Sequence, residues 1–371
     1  MPVEFPAAIP AHPQPRPGLA LKKTVAAMAL GGAVSAACAQ SSLVVYGVVD
    51  AGVGKLNGSS LTLGKRDNNR LGFRGVEDLG GGLKALFQLE IRFEPDTGTI
   101  ESTSGPNSRP FFQGQSRVGL QGDFGTVRLG RGLPAYQETS AQFEPWYGIP
   151  AVAGFQPDMQ VAGYTADPLS PPGNSRNRFS NAVFYNTPVF AGIFQLNATV
   201  AAKEANGNAP IIGRGTAAAP QFPANSVPIT TPFSLSATAI NGAFGAYAGY
   251  ERNAIATKLW SVGTYVKPVA ALKLMATYQQ QDQTENVLIN PKTRAWVLGA
   301  NYAVRSGRVL LGYGQKTPDN VLDNPALGKT RQTSAGYEHN LSTRTFLYID
   351  VSTRRAATSA NYVGVGIQHT F

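Results

Sequence analysis

Cysteine is almost missing from this chain: Cys38 is the single thiol, so no disulfide framework can form. Histidine is nearly as scarce, with only His12, His339 and His369 among 371 residues. The common zinc sites and histidine-dependent nucleophilic triads therefore have few parts to draw on. Charged residues make up only 15% of the chain. Nowhere does an apolar run reach the roughly 20 residues of a membrane-crossing helix, and a mean hydropathy of −0.12 is too polar for a bundle of such helices. The formal net charge of +10 is dispersed instead of clustered with aromatic residues on one surface, which argues against nucleic-acid binding.

The longest apolar stretch lies near the N-terminus. Lys22 and Lys23 precede Thr24 to Val34, and Ala37-Cys38-Ala39 follows with small residues where a signal peptidase reads. We expect a removed segment over 1–39, an N-terminal extension plus signal peptide, with the mature chain starting at Gln40. The Pro-rich residues 1–20 do not suit a signal peptide's basic start, and an initiator at Leu21 fits better. A lipoprotein reading centred on Cys38 meets Ser35 where leucine is usual. Export takes Cys38, His12, three basic residues and Glu4 with it and leaves a formal charge of +8.

From Leu43 onward apolar and polar residues alternate. In Leu83–Glu94, Leu83, Ala85, Phe87, Leu89, Ile91 and Phe93 share one face, and Lys84, Leu86, Gln88, Glu90, Arg92 and Glu94 the other. A period of two is a strand; a helix would scatter those apolar residues around its circumference. The pattern recurs in roughly sixteen segments, the first near 43–54, the fourth near 109–122 and the last near 361–371, many at the 9–11 residues that cross a bilayer. Short turns, such as Asp78-Leu79-Gly80 and Asn241-Gly242, alternate with longer loops near 55–68, 95–108, 132–177, 202–232, 282–292, 316–330 and 353–360. Loop 252–256 is the exception, as short as a turn. The rhythm predicts an all-β, transmembrane antiparallel β-barrel of about sixteen strands spanning 40–371. A soluble β-sandwich would require two or three domains with linkers between them and a polar outer face, and neither is present.

Particular strings add a family resemblance. Ser42 to Asp50 (SLVVYGVVD), Arg70 to Ala85 (RLGFRGVEDLGGGLKA), Val118-Gly119-Leu120, Phe124 to Arg131 (FGTVRLGR) and the ending Val363 to Phe371 (VGVGIQHTF) together resemble the general porins of β-proteobacteria, in order and over nearly the whole mature chain. The resemblance implies a homotrimer in the outer membrane, with the third long loop folded into the lumen. It also implies that Phe371, closing an amphipathic strand, is read by the barrel-assembly machinery. His369 shares that strand's outer face and suits the interfacial girdle.

A diffusion pore needs a polar wall, a constriction and a charge distribution, not a catalytic group. Lumen parity places Arg70 and Arg74 inward on the second strand, Arg92 on the third, Arg117 on the fourth and Arg128 on the fifth. Arg131 falls at the root of loop 132–177. At Arg117 the family commonly carries an aromatic residue. Glu138 and Glu144, in that loop, are the expected constriction acids facing this basic wall. The expectation is a passive channel for small hydrophilic solutes, weakly to moderately favouring anions and less so at high salt. Its expected partners are the lipid bilayer, lipopolysaccharide and the solutes themselves, and it implies no tightly bound cofactor. A substrate-specific channel for an organic acid, phosphate or a sugar is the alternative on the same barrel. An enzymatic barrel would need a catalytic constellation at the rim, and none surrounds His339 or His369; an adhesive barrel would not conduct.

Overall fold

A computed structural model describes residues 42–100, 110–167, 177–202, 230–282, 292–319 and 328–371. The expected leader over 1–39 lies outside the described residues, as do parts of loops 95–108, 132–177, 202–232, 282–292 and 316–330.

One antiparallel sheet contains every strand among the described residues. In chain order these are β1 (Ser42–Leu56), β2 (Thr62–Gly64), β3 (Arg70–Gly80), β4 (Leu83–Arg92), β5 (Gln115–Gly122), β6 (Gly125–Gly132), β7 (Phe179–Asn186), β8 (Phe194–Ala201) and β9 (Phe233–Ile240). They continue as β10 (Phe244–Arg252), β11 (Lys258–Val269), β12 (Leu272–Asp282), β13 (Lys292–Val304), β14 (Gly307–Pro318), β15 (Thr330–Asn340), β16 (Thr345–Arg355) and β17 (Ser359–Thr370). β17 returns to β1 with a ladder from Val48↔Thr370 to Leu56↔Tyr362. This pairing closes the sheet into a barrel. β2 is a short spur on β1, paired from Gly52↔Gly64 to Gly54↔Thr62; the other sixteen strands form the wall, as the alternation predicts.

The period of two decides which side each residue takes. On β4, Phe87 points outward while Leu86, Glu90 and Arg92 are buried inside. Outward Val118, Leu120, Leu129 and Val183 are all large, apolar and exposed, a costly surface in water and the fitting one against lipid. Outside, Trp260 lies tilted against Tyr278 (5.3 Å between ring centroids) and Trp296 against Tyr313 (5.4 Å), aromatic pairs of the kind found at membrane–water interfaces. No helix among the described residues is long and apolar enough to cross a membrane.

Turn chemistry follows the sequence. Gly80, Gly81 and Gly82 all take positive φ (84°, 60° and 82°), a backbone path that glycine follows without the Cβ penalty. Two boundaries differ from the sequence expectation. The loop expected over 353–360 shrinks to three residues, because β16 and β17 stay paired out to Arg355↔Ser359. The strand expected from 109 starts at Gln115, because the carbonyls of Gln113 and Gly114 accept hydrogen bonds from Arg131 and Arg178, side chains that replace a neighbouring strand.

Candidate functional site

Of the chain between β6 and β7, the described residues 133–167 pack on the inner face of the barrel wall. They contain helix α1 (Ala135–Ser140), a 3₁₀ turn over Ala141–Phe143 and a π turn over Gln156–Gln160. A helix start leaves its first N–H groups without intrahelical acceptors, and α1 has no side-chain cap. The barrel supplies the acceptors instead: Ala135 N donates to Thr199 Oγ1 (3.0 Å) and Tyr136 N to Ser234 Oγ (2.9 Å). Inward glycines make room for the large side chains of this segment. A Cβ on Gly249 would collide with Tyr136, on Gly299 with Pro145 and on Gly312 with Phe155, while one on Gly336 would strike the Asp350 carboxylate and crowd Trp146. Tyr136, Phe143, Trp146 and Phe155 are all essentially buried there. Two apolar clusters thus hold the segment against the wall, one around Tyr136 and Phe143 and one around Trp146 and Phe155.

The opposite wall, β3 to β6, presents the arginines. Arg117 and Arg128 both reach Glu138 of α1, at 3.3 Å to Oε1 and 3.3 Å to Oε2 respectively. Burial alone would raise the Glu138 carboxyl, but Arg128 and Arg117 outweigh it and hold it below the ordinary carboxylate range. Arg117 also donates to Gln88 Oε1 (3.0 and 3.1 Å) and Arg128 to Asn186 Oδ1. Arg74 lies over the Tyr46 ring, 5.5 Å from its centroid, and makes no ion pair among the described residues. Arg70 pairs with Asp67 (3.3 Å), and Arg92 lies 3.8 Å from Glu90.

Arg131 reaches the same wall by a different route. Counting by twos from Arg128 turns Gly130 inward and Arg131 outward. The β6–β7 ladder shifts register between Gly130 and Gly132, and Gly130 takes φ 127°. This bulge turns Arg131 into the barrel, where it donates to Gln113 O (3.1 Å) and Ser180 Oγ (2.6 Å) and lies 4.0 Å from Asp167.

Glu144, expected to face these arginines, does not meet them. It is 1% exposed and accepts hydrogen bonds from the backbone N–H groups of Gly148 (2.7 Å) and Phe155 (3.0 Å). Its role here is to tie two turns of the loop together. Burial raises its carboxyl to about 7, against the opposing pull of those N–H groups. Phe371 closes the barrel seam: its backbone pairs with Gly47 in both directions (3.0 and 3.2 Å), and its ring covers the space where a Gly47 side chain would stand.

Three charged groups were not singled out by sequence reasoning. Arg178 is buried beside the arginine wall and donates to Gly114 O; extending β7 parity back by two from Ser180 would have found it. Asp158, in the π turn, bridges Lys316 of β14 and Arg354 of β16. Arg66, just ahead of β3, dips inside to Glu338 (2.7 Å) and Asp350 (2.8 Å) and stacks over Tyr348 (4.7 Å). Burial works against the Arg66 charge, but Asp350 and Glu338 outweigh it and raise its pKa. Asp350 in turn accepts from Trp146 Nε1 (3.1 Å), so Arg66 and the inner loop share one carboxylate. Nothing in a short loop sequence marks such a dip.

A closed antiparallel barrel, apolar outside, charged inside and with an inner loop, has the architecture of an outer-membrane channel protein. The chain belongs to the Gram-negative porin family, whose model matches residues 24–358. It is 33% identical to outer membrane porin protein 32 of Delftia acidovorans over 95% of this chain and all of that relative. It is 27% identical to the major outer membrane protein P.IB of Neisseria lactamica, with the same coverage. Among solved structures it is similar to the anion-selective porin from Comamonas acidovorans, with a TM-score of 0.70 and 26% identity over 90% of this chain and all of that one. The protein is thus a porin of the Gram-negative outer membrane.

Proposed function

We propose that the chain forms a passive, water-filled diffusion channel for small hydrophilic solutes that weakly to moderately favours anions. The observation that carries this reading is the charge inventory of one wall. Seven arginines (Arg70, Arg74, Arg92, Arg117, Arg128, Arg131 and Arg178) meet four carboxylates there (Asp67, Glu90, Glu138 and Asp167). Because most of these arginines share or hold a carboxylate, the surplus is smaller than their number suggests. A screening length of about 8 Å at physiological salt spans a narrow opening but not a wide vestibule. The surplus therefore biases ion entry without excluding cations, and the bias fades at high salt. The anion-selective character of the Comamonas acidovorans porin agrees with this reading.

In this proposal the arginine wall and the α1 segment bound the narrowest part of the pore, with Glu138 the acid at that constriction. Residues 1–39 are a removed extension and signal peptide, and Phe371 serves recognition by the assembly machinery. The barrel works as a homotrimer in a bilayer bearing lipopolysaccharide; a fold neighbour, OmpT of Vibrio cholerae, has been described in a trimer form.

The test is the reversal potential of purified protein in a planar bilayer under a KCl gradient. An anion-favouring potential that moves toward cations in the double variant Arg74→Glu/Arg128→Glu is expected. A cation-favouring wild type, or a double variant with unchanged selectivity, would remove the arginine wall from the mechanism.

A further inference from the structure

Across the barrel from the arginine wall, a second group of cations gathers where β11, β12 and β14 meet their short turns. Lys267 lies near the end of β11, Lys273 is the second residue of β12 and Arg308 the second of β14. Short turns mark the periplasmic end of such barrels, so this group stands at the periplasmic mouth. Two tyrosines draw it together. Lys273 Nζ is 4.4 Å from the Tyr265 ring centroid and 5.4 Å from that of Tyr147. Arg308 is 4.6 Å from the Tyr147 centroid, and Lys267 Nζ 5.8 Å from that of Tyr265.

The backbone of the inner loop is bent to deliver Tyr147 to this place. Tyr147 takes φ 55° and Gly148 φ 72°, and in the left-handed region a non-glycine residue brings its Cβ too close to the following carbonyl oxygen. Lys273 also donates to Gln142 O at 2.6 Å, which fixes its ammonium beside the rings. Arg308 gives its Nε to Glu338. Neither Lys267 nor Lys273 has a carboxylate within ion-pair distance among the described residues. Ring faces attract a cation through their quadrupole, and they supply no counter-charge. Two lysines without a carboxylate partner, with a guanidinium that shares Glu338, therefore form a donor-rich recess around Tyr147 in which three cations meet one carboxylate.

We propose that Lys267, Lys273 and Arg308 form a binding station for a small oxyanion at the periplasmic mouth, separate from the arginine wall and acting in series with it. Ammonium and guanidinium donors converging from three strands suit a polyvalent oxyanion such as phosphate better than chloride. The inference rests on the porin architecture, with short turns on the periplasmic side, and not on the selectivity assigned to the arginine wall.

The experiment is ³¹P line broadening of inorganic phosphate by folded, detergent-solubilised full-length protein. Wild type is compared with Lys267→Gln/Lys273→Gln and with Arg74→Gln/Arg128→Gln, each checked for the heat-modifiable mobility of a folded barrel. Broadening in wild type and in the arginine variant, but at least ~10-fold weaker binding in the lysine variant, is the expected result. No broadening in folded wild type, or broadening kept in the lysine variant and lost in the arginine variant, overturns the station. Reversal potentials on the same three proteins separate the two readings: a cation-favouring wild type that still binds phosphate through the lysines would sink the arginine wall alone.

Discussion

Arg117 and Arg128 converge on Glu138, each placing a guanidinium nitrogen 3.3 Å from a different carboxylate oxygen. One carboxylate therefore divides its charge between two arginines on adjacent strands and joins the inner loop to the wall across from its apolar anchor. Glu138→Gln removes the negative charge and leaves both arginines in place. The anion-to-cation permeability ratio is expected to rise by about twofold at low salt and less at high salt. Reversal potentials at two KCl concentrations check this; a ratio that falls would mean that Glu138 acts mainly by holding the loop.

Arg66 lies between Glu338 and Asp350 with almost no exposure on any of the three side chains. Removing one member of a buried ionic group strands the others, at a cost of about 3–5 kcal/mol. Arg66→Gln should lower the temperature at which the barrel loses its heat-modifiable mobility. It should also leave uncompensated negative charge inside and shift the reversal potential toward cations. A variant as stable as wild type would show that water relieves the carboxylates.

Glu144 has its carboxyl raised from the ordinary 4.5 to about 7. A raised carboxyl holds its proton more tightly folded than unfolded. The stability it contributes is complete below about 4.5 and is lost as pH rises to about 7. Wild type should accordingly be more heat-resistant at about pH 5 than at about pH 8, beyond any general trend of the protein. Glu144→Gln cannot titrate, and the difference between the two pH values should narrow in it; an unchanged difference assigns the effect to another group.

Gly312 lies under the Phe155 ring. Gly312→Val overpacks that contact, at about 1–3 kcal/mol, and pushes the loop off the wall toward the opening. Smaller single-channel conductance at unchanged barrel fold is expected. Equal conductance would mean that Phe155 turns aside without moving the backbone.

How much of this was legible in the sequence depends on the range of the physics involved. The strand at Leu83–Arg92 could be read residue by residue, because neighbouring side chains on a strand take opposite faces whatever the rest of the chain does. For the same reason Arg70, Arg74, Arg92, Arg117 and Arg128 could be assigned to the inner face. The short turn read at Asp78-Leu79-Gly80 runs on through Gly81 and Gly82, where the backbone takes positive φ that glycine adopts without a Cβ penalty. Arg131 was reached only as a residue near the root of the loop, since the bulge at Gly130 reverses the parity that points it inward.

The sequence by itself determined the strand period, the side each strand residue takes, the rhythm of short turns and the basic excess inside, all of which depend on residues a few positions apart. The tertiary structure alone decided which acid the arginines meet, that Glu144 closes the loop upon itself, that Arg66 enters from a rim loop, and that Lys267, Lys273 and Arg308 gather around Tyr147. Those outcomes depend on where a long loop lands. Its landing place is set by glycine gaps and hydroxyl acceptors on strands a hundred or more residues away, such as Ser234 for Tyr136 and Gly312 for Phe155. No local periodicity carries that information, because the partners become neighbours only once the barrel has closed.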